Sequence, residues 1–394
     1  MKIRILILTC AISIYATLCW GQTWDLTATM SASLNDNTLT ISTTLEAEAM
    51  PDYDWMEVPW YEDNALIHSV VIEDHVTSIG DLTFIHCLFL TSVTIPNSVT
   101  TIGNYAFYNC YALPAITIPE NVTSLGNASF KMCSNLTKIT IPASVLFIGK
   151  EAFTECNKLE AITVDDDNTA FSSLAGVLYD KNKTTLIAYP ESKSGASFEI
   201  AGTVSKIESG AFYKSSLESI SIPGSVTEIG SDAFWLCSKL TSITLPRSVT
   251  DIGESAFNEC TGLTEVTVEW DTPLIIIDNL FDKVDLSGVT LYVPTGTTPF
   301  YRDADIWKDF GTIVEYAFSG NATIKEATLK AYASNGILHI SGLHSGSALH
   351  VYKIDGQLMY KGFAKANEER IPLTGRGICV VVAGEQKVKV WFVN

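Results

Sequence analysis

The apolar and polar residues of this chain follow one pattern that returns every 23 residues. Each copy holds a leucine and alternating apolar positions that end in proline, then Ser-Val-x2-Ile-Gly, then Ala-Phe-x2-Cys. The spacing is kept by Phe84, Phe107, Phe130 and Phe153, again by Phe234 and Phe257, and by Cys87, Cys110, Cys133, Cys156, Cys237 and Cys260. A fixed period in this range indicates stacked repeats that cover each other's apolar faces.

Each repeat contains three predicted elements. Apolar residues alternate with polar ones before Pro96, which indicates a strand that ends where proline has no N–H to donate. A second extended piece ends at Gly103, to which we assign a backbone with positive φ. The spacing of Phe107 and Cys110 predicts one short helical turn, with the phenylalanine as the large core side chain.

The pattern divides the chain into four parts. We expect a signal peptide at 1–21, an N-terminal cap with a hairpin around Asn35–Asn37 at 22–63, a solenoid at 64–316 and a small β-sandwich at 322–394. The period breaks between Phe153 and Phe212, where two strand-like runs predict a hairpin insertion near 165–200. The repeats decay over 266–316, which we interpret as a C-terminal cap, because an open end would expose the core.

The first 21 residues have the composition of a secretory signal. Lys2 and Arg4 precede the apolar run Ile5–Leu18, and small residues place cleavage after Gly21. Lipid attachment through Cys19 is the alternative. No other stretch reaches the roughly 18 apolar residues of a membrane span, so we expect no transmembrane segment in the mature chain.

The net charge limits the kinds of partner that the chain can bind. A net charge of −19 argues against nucleic acid or an anionic membrane as partner, and we assign most of this charge to solubility.

Six cysteines share one position of the repeat. We expect a free, buried ladder, with disulfides between neighbouring repeats as the alternative in an oxidising compartment. Zinc would need closer clusters such as C-x2-C.

No residue set for catalysis stands out. The histidines have no recurring carboxylate or nucleophile partner, which argues against Ser-His-Asp or Cys-His chemistry. Asp165–Asp167 forms either a solvated turn or a Ca²⁺ site, and we favour the turn because the ligand spacing of known calcium loops is missing. We therefore predict a chain that is not an enzyme and needs no cofactor or metal.

Exposed strand positions form the candidate binding surface. Alternate side chains of the first strand in each repeat face away from the core, which aligns small polar residues in a column. The candidate residues are Thr94, Thr117, Lys138, Thr140, Thr163, Ser221, Thr244 and Thr267. Threonine also suits exposed strands, so the column is either a binding sheet or ordinary strand chemistry. Alternative contact points follow the repeat phenylalanine on the turn side: Tyr108, Lys131, Tyr213 and Trp235.

The repeat Ile-Pro-x-Ser-Val-x2-Ile-Gly-x2-Ala-Phe-x2-Cys resembles the BspA-like leucine-rich repeats of treponemal and oral anaerobe surface proteins, from about Asn64 to Glu315. The segments Met50–Tyr53 and Pro59–Tyr61 are similar to the entry segment of that family. The resemblance implies a right-handed leucine-rich-repeat solenoid. It also implies a place among surface adhesins that bind host matrix proteins and engage Toll-like receptors.

The tail resembles a type IX (Por) secretion sorting domain. The matching segments are Val351–Gly356, Ile371–Leu373, Gly377-Ile378 and Lys387–Val390. This resemblance implies export to the cell surface, the outer membrane or the medium of a Gram-negative bacterium.

Three hypotheses for function follow. The first is a non-catalytic protein-binding module, such as an adhesin, whose partner is a protein or glycoprotein. The second is a structural spacer of the cell envelope. The third, an enzyme acting on glycans, would need two carboxylates about 5–10 Å apart in a cleft. Exposed aromatic residues clustered on one face would favour binding over spacing, and a cleft with paired acids would favour the enzyme.

Overall fold

The computed structural model describes residues 21–276, 279–317, 329–343, 348–354, 357–364, 368–374, 377–383 and 386–392. All but the last residue of the predicted signal peptide, 1–21, and the first residues of the predicted β-sandwich, 322–328, lie outside these residues. The described chain is a β-solenoid of about 11 turns with few helices, which confirms the predicted fold class. Among the residues described, none of the helices has the length and hydrophobicity that crossing a membrane requires.

The N-terminal segment covers the first edge of the solenoid. Its elements are β1 (Gln22–Asp25), β2 (Met30–Asn35), β3 (Thr38–Thr43), β4 (Glu48–Ala49) and a 3-10 helix at Tyr61–Leu66. β2 and β3 form the predicted hairpin, with Asp36 and Asn37 at positive φ in its turn. β3 then pairs in parallel with the first repeat strand, so that edge has a partner.

Two columns of short parallel strands run through the first half of the solenoid. The strands are β5 (Ser69–Ile72), β6 (Val76–Ile79), β7 (Ser92–Thr94), β8 (Thr101–Ile102), β9 (Ser124–Leu125), β10 (Lys138–Ile141), β11 (Phe147–Ile148) and β12 (Ala161–Val164). β5 pairs with β7 and β10 with β12 in the first column, while β6, β8, β9 and β11 form the second. Residues 115–118, where the pattern predicts a strand, are not in strand conformation.

The second half follows the predicted insertion. The insertion consists of β13 (Phe171–Leu174), β14 (Val177–Asp180) and β15 (Thr185–Ala188), which pair antiparallel in that order. The repeats continue with β16 (Ser197–Glu199), β17 (Lys206–Ile207), β18 (Ser219–Ser221), β19 (Glu228–Ile229), β20 (Ser242–Leu245), β21 (Asp251–Ile252) and β22 (Glu265–Val268). The solenoid ends with β23 (Thr290–Pro294), β24 (Thr312–Tyr316), the short helix α1 (Thr298–Arg302) and 3-10 helices at Leu286–Gly288 and Trp307–Asp309.

The insertion separates two hydrophobic cores. Three consecutive residues of β14 are fully buried, which is unusual for a strand with one wet face. Leu178 belongs to the core of the first half, whereas Val177 and Tyr179 belong to the core of the second. Because successive side chains of a strand point to opposite faces, β14 acts as a wall between the two halves.

Aromatic rings stack along each half. In the first half Phe107 lies 5.2 Å from Phe84 and 5.5 Å from Phe130 between ring centroids, and the stack ends at Phe153. A second stack starts at Tyr189 and continues through Phe212, Phe234, Phe257 and Phe281 at 5.0 to 5.5 Å. The break between the stacks coincides with the insertion.

The segment that carries this phenylalanine is a hydrogen-bonded turn, and the predicted helical turn is wrong. Two residues of each turn, two before and two after the phenylalanine, have positive φ, as Tyr105 (54°) and Asn109 (58°) show. This geometry aims the N–H groups of Tyr105, Phe107 and Asn109 at three carbonyls of the next repeat, each at 2.8 Å. The turns therefore form a third ladder beside the two strand columns.

Gly103 has a different role from the one predicted, because its φ is not among the positive values. A Cβ at this position would lie 2.7 Å from the main-chain nitrogen of Asp81 and from the carbonyl carbon of Gly80 in the preceding repeat. Glycine is thus required by the close approach of two neighbouring backbones.

The six ladder cysteines are buried, and none of them forms a disulfide in this structure. Cys110, Cys133 and Cys156 each donate through Sγ to a phenylalanine carbonyl 26 residues earlier, at 3.2 Å. Burial raises the pKa of Cys87 and Cys133 to about 12. The thiols therefore act as buried donors that tie one turn to the repeat before it.

The C-terminal segment has its own core and its own sheets. Its strands are β25 (Lys330–Ser334), β26 (Ile337–Ser341), β27 (Ala348–Lys353), β28 (Leu358–Phe363), β29 (Glu368–Pro372), β30 (Gly377–Ala383) and β31 (Gln386–Phe392). They form antiparallel sheets of three and four strands around residues such as Leu338, Val351 and Val381. Two sheets around one core are consistent with the predicted sandwich. Tyr332 packs on Phe300 of α1, with ring centroids 4.5 Å apart.

Truncation of one stacked ring tests the importance of the aromatic stack. We expect Phe107→Ala to lower the free energy of unfolding by about 3–5 kcal/mol, because it removes a fully buried ring and leaves a cavity. Phe147→Ala is the matched control, since this ring is 55% exposed and should cost less than about 1 kcal/mol. Chemical denaturation gives both values. Equal effects would contradict the importance of the stacked rings for stability.

Thiol reactivity tests the cysteine ladder. A thiol reagent that absorbs on reaction should leave the six ladder cysteines unmodified in the folded chain at neutral pH, because they are buried and protonated. The same reagent should modify all six in denaturant without prior reduction. Fewer reactive thiols in denaturant would mean that neighbouring repeats are cross-linked.

Candidate functional site

The structure places the predicted strand-face column on the surface. Thr94, Thr117, Lys138, Thr140, Thr163, Ser221 and Thr244 are exposed, and Thr267 is partly buried. Thr140 lies opposite Thr163, with their hydroxyl oxygens 3.0 Å apart, and Thr244 lies opposite Thr267. The first five residues precede the insertion and the last three follow it. The column is therefore two shorter rows, and its binding role remains a hypothesis.

The next residue along the second row is aromatic, which the sequence analysis did not find. Tyr292 of the C-terminal cap is in register with Thr267 and is partly buried. The rows themselves carry small side chains, so the strand face stays flat and weakly featured.

The turn face carries a cluster of aromatic rings near the N-terminal cap. We call it the aromatic patch, and its members are Trp55, Tyr61, His86, Tyr105 and Tyr108. The ring centroid of Trp55 is 5.8 Å from His86, 6.3 Å from Tyr105 and 5.9 Å from Tyr108, all edge-on. Trp55 is 48% exposed, which is unusual for the largest side chain in a protein.

Local backbone geometry builds this patch. His86 and Tyr105 occupy positive-φ positions of neighbouring turns, where Tyr105 is exposed and His86 is partly buried. Trp55 comes from the loop of the N-terminal cap, 50 or more residues before both tyrosines in the turns. Asn109 fixes the histidine ring, with its Nδ2 2.9 Å from Nδ1 of His86. Two separate parts of the chain therefore share one surface.

Burial shifts the pKa of two members of the aromatic patch. Burial lowers the pKa of His86, so its ring is neutral, and burial raises the pKa of Tyr108, so its phenol keeps its proton. Rings with hydroxyl and N–H groups at their rim suit planar, apolar or cationic groups of a partner. Tyr108 was among the predicted contact points, whereas the other four members were not.

The other predicted turn-side residues lie closer to the insertion. Lys131 forms ion pairs with Glu151 at 2.6 Å and Glu155 at 3.6 Å. Tyr213 and Trp235 pack edge to face, with ring centroids 5.7 Å apart. These contacts order the turn face between the first and second halves.

A cleft of about 620 Å³ opens where the two halves meet. One wall is formed by Phe147–Thr154, the other by Glu208–Tyr213, and residues Thr185–Glu191 lie between them. Its volume is in the range of ligand-binding clefts, about 300–1,000 Å³. The sequence marked this place only as an interruption of the period.

Glu191 is the unusual acid of this cleft. Burial raises the pKa of its carboxyl to about 7, while Lys214 and the main-chain N–H of Glu155 act in the opposite direction. Oxygen Oε1 is shielded from solvent and has no hydrogen-bond partner among the described residues. A buried carboxyl without full pairing prefers to be neutral.

Two acids beside this cleft are held by their surroundings. Glu155 lies 3.6 Å from the ammonium of Lys131, and Oε1 of Glu191 is shielded from solvent. At Asp165–Asp167 the chain makes a turn in which Asp165 accepts from the N–H of Asp167 at 2.9 Å. Among the described residues there is also no group of three or more side chains that could hold a metal ion.

Comparison with known proteins identifies the repeats. Residues 60–175 and 188–304 match six copies of the BspA type leucine rich repeat region. A leucine-rich repeat protein of Eubacterium ventriosum is 30% identical, with a TM-score of 0.58 over 70% of this chain and 78% of its own. The pneumococcal vaccine antigen PcpA is 17% identical, with a TM-score of 0.46 over 75% of this chain and 98% of its own. A search of curated proteins gives no match.

Glu191 should make the stability of the folded chain depend on pH. Its folded pKa of about 7 lies above 4.5, the ordinary pKa of a glutamate, so the folded state binds its proton more tightly than the unfolded state. The contribution of Glu191 to the free energy of unfolding should be fully present below about pH 4.5. The free energy of unfolding should fall by about 2–3 kcal/mol as the pH rises through 7. Glu191→Gln keeps the shape without titrating, and its melting temperature should lose this slope. An unchanged slope would assign the pH dependence to other groups.

Proposed function

The chain belongs to the BspA-type leucine-rich-repeat family, and on this basis we propose that it is an exported, non-catalytic binding protein that contacts its partner through the turn face. The partner is a protein or glycoprotein. The aromatic patch is the observation that carries the proposal, and the stacked repeats are the scaffold that holds it.

The patch has the composition of a binding hot spot. Tryptophan and tyrosine supply most of the binding energy in many interfaces, since their rings bury a large area at a small cost in side-chain entropy. Here Trp55 is anchored by three neighbouring rings and still exposes half of its surface. An envelope spacer would have no need for such a cluster, so the patch favours binding.

The scaffold keeps the patch in its binding geometry. The turns under it are fixed by main-chain ladders of 2.8–2.9 Å, and the rings beneath them are stacked and fully buried. A preorganised surface loses little entropy when a partner binds. Fit to a pre-formed surface therefore explains recognition without a cofactor.

Export is the second part of the proposal. It is supported by the signal-like N-terminus and by the tail that resembles a sorting domain, in Val351–Gly356 and Lys387–Val390. The acidic surface agrees with a partner that is neither nucleic acid nor anionic membrane. The surface of a Gram-negative bacterium, or the medium around it, is the compartment we propose.

Binding of the full chain to a panel of immobilised matrix proteins and mucin tests the proposed function. We expect Trp55→Ala and Tyr105→Ala each to weaken saturable binding about 10- to 100-fold, since both rings lie in the patch. The matched control substitutes Thr117, Thr140 and Thr244 of the strand face by alanine, and should bind as the unchanged chain does. Surface plasmon resonance gives both affinities.

The reverse result would move the binding site. If the threonine variant lost affinity and the aromatic variants kept it, the strand-face column would be the contact surface. If no member of the panel bound at low or physiological salt, the spacer hypothesis would replace the proposal.

A further inference from the structure

The cleft between the two halves contains an unfilled sheet edge. The second strand column of the first half ends at β11, and among the described residues no strand pairs with it beyond β9. Alternate residues of a parallel strand bond to opposite neighbours. Gly149 donates back to Leu125 at 2.8 Å and Phe147 donates to Thr123, so the N–H and C=O of Ile148, between them, face the cleft.

The main-chain hydrogen bonds between the turns of successive repeats also stop at this cleft. In the preceding repeat, the N–H groups of Ala128 and Phe130 donate to Lys150 and Ala152 at 2.9 and 3.0 Å. The equivalent N–H groups belong to Glu151 and Phe153, both of which line the cleft. Across the described residues neither of these two N–H groups has an acceptor. The wall of the cleft therefore offers unpaired main-chain groups on β11 and on the turn that follows it.

No strand of the insertion can fill this edge. β15, which lies across the cleft, is paired with β14 on one side and with β17 on the other. Its backbone hydrogen bonds are therefore already used. An additional segment of polypeptide would fit where a regular solenoid has its next repeat.

The surroundings define which segment would fit. The lining contains four acids and one base, namely Glu151, Asp180, Glu191, Glu208 and Lys150. Lys131 pairs with Glu151 and Lys206 pairs with Glu208, but each lysine also faces a second acid, Glu155 and Glu228 respectively, so negative charge stays in excess at these walls. Phe147 of the edge strand lines the cleft and is 55% exposed, which is high for such a residue, and Leu146 directly before it is 58% exposed. The cleft is thus complementary to a segment with both basic and apolar side chains.

We propose that the cleft binds an extended, basic and partly apolar segment of a partner protein, whose main chain hydrogen-bonds to the open edge of β11. The added segment runs as a short strand, so affinity comes from the backbone and selectivity from the acids and the exposed rim. The site is separate from the aromatic patch and extends the proposed binding function to a second contact.

The test selects a phage-displayed library of linear peptides on the full chain. Enriched peptides should carry lysine or arginine beside apolar residues, and they should bind less tightly at high salt. Ile148→Pro removes the N–H that faces the cleft, and should weaken their binding by at least about tenfold, as expected for one lost hydrogen bond. Ile148→Ala loses the side chain but keeps the N–H, and should bind within a few-fold of the unchanged chain. Fluorescence anisotropy with the synthetic peptides gives the affinities.

Several results would overturn the proposal. These are enrichment of no peptides or of acidic ones, equal binding by the proline and alanine variants, or full binding of a peptide whose main-chain nitrogens are methylated. Sedimentation velocity covers the case in which a second copy of the chain fills the edge, since Ile148→Pro would then dissociate a dimer. Trp55→Ala should leave peptide binding unchanged, so failure at the cleft and failure at the aromatic patch are told apart.

Discussion

The contact between the turn of one repeat and the turn of the next is the interaction on which the rest of this structure depends. A repeat of 23 residues is too small to bury its own phenylalanine, so each ring is covered by the rings before and after it. The same contact satisfies main-chain N–H groups and buries the cysteine thiols. The strands of the two columns, each two to five residues long, add to this contact but are too short to replace it.

The backbone geometry of this contact is unfavourable for most residues, but it also places side chains at the surface. Two residues of each turn adopt positive φ, which side chains other than glycine avoid. Their N–H groups then reach the next repeat, while their side chains, apart from the buried Ala128, stay at least partly exposed. A row of outward positions on a rigid base is well suited to recognition, because neighbouring turns present their side chains side by side. His86 and Tyr105 of the aromatic patch belong to this row, and the cap adds Trp55 to them.

The insertion explains why the molecule has a cleft at all. β14 closes the core of each half with opposite side chains, so neither half exposes its interior. The stack of rings and the turn ladder nevertheless stop at Phe153 and resume beyond it. Closing the core without continuing the ladders leaves backbone groups and acids on the walls of the gap. Glu191, buried there without full pairing, shows how far this region departs from a regular repeat.

Local spacing along the chain is enough to predict the period, the solenoid, the cysteine ladder, the hairpin of the cap and the place of the insertion. Apolar periodicity reports which side chains are buried, and that is enough to stack repeats. Four features follow from the three-dimensional arrangement alone: the backbone of the turns, the close approach that requires Gly103, the contact of Trp55 with Tyr108, and the open edge of β11. These depend on contacts between residues of different repeats, and a one-dimensional pattern cannot express which surfaces meet or where a ladder is left without its next member.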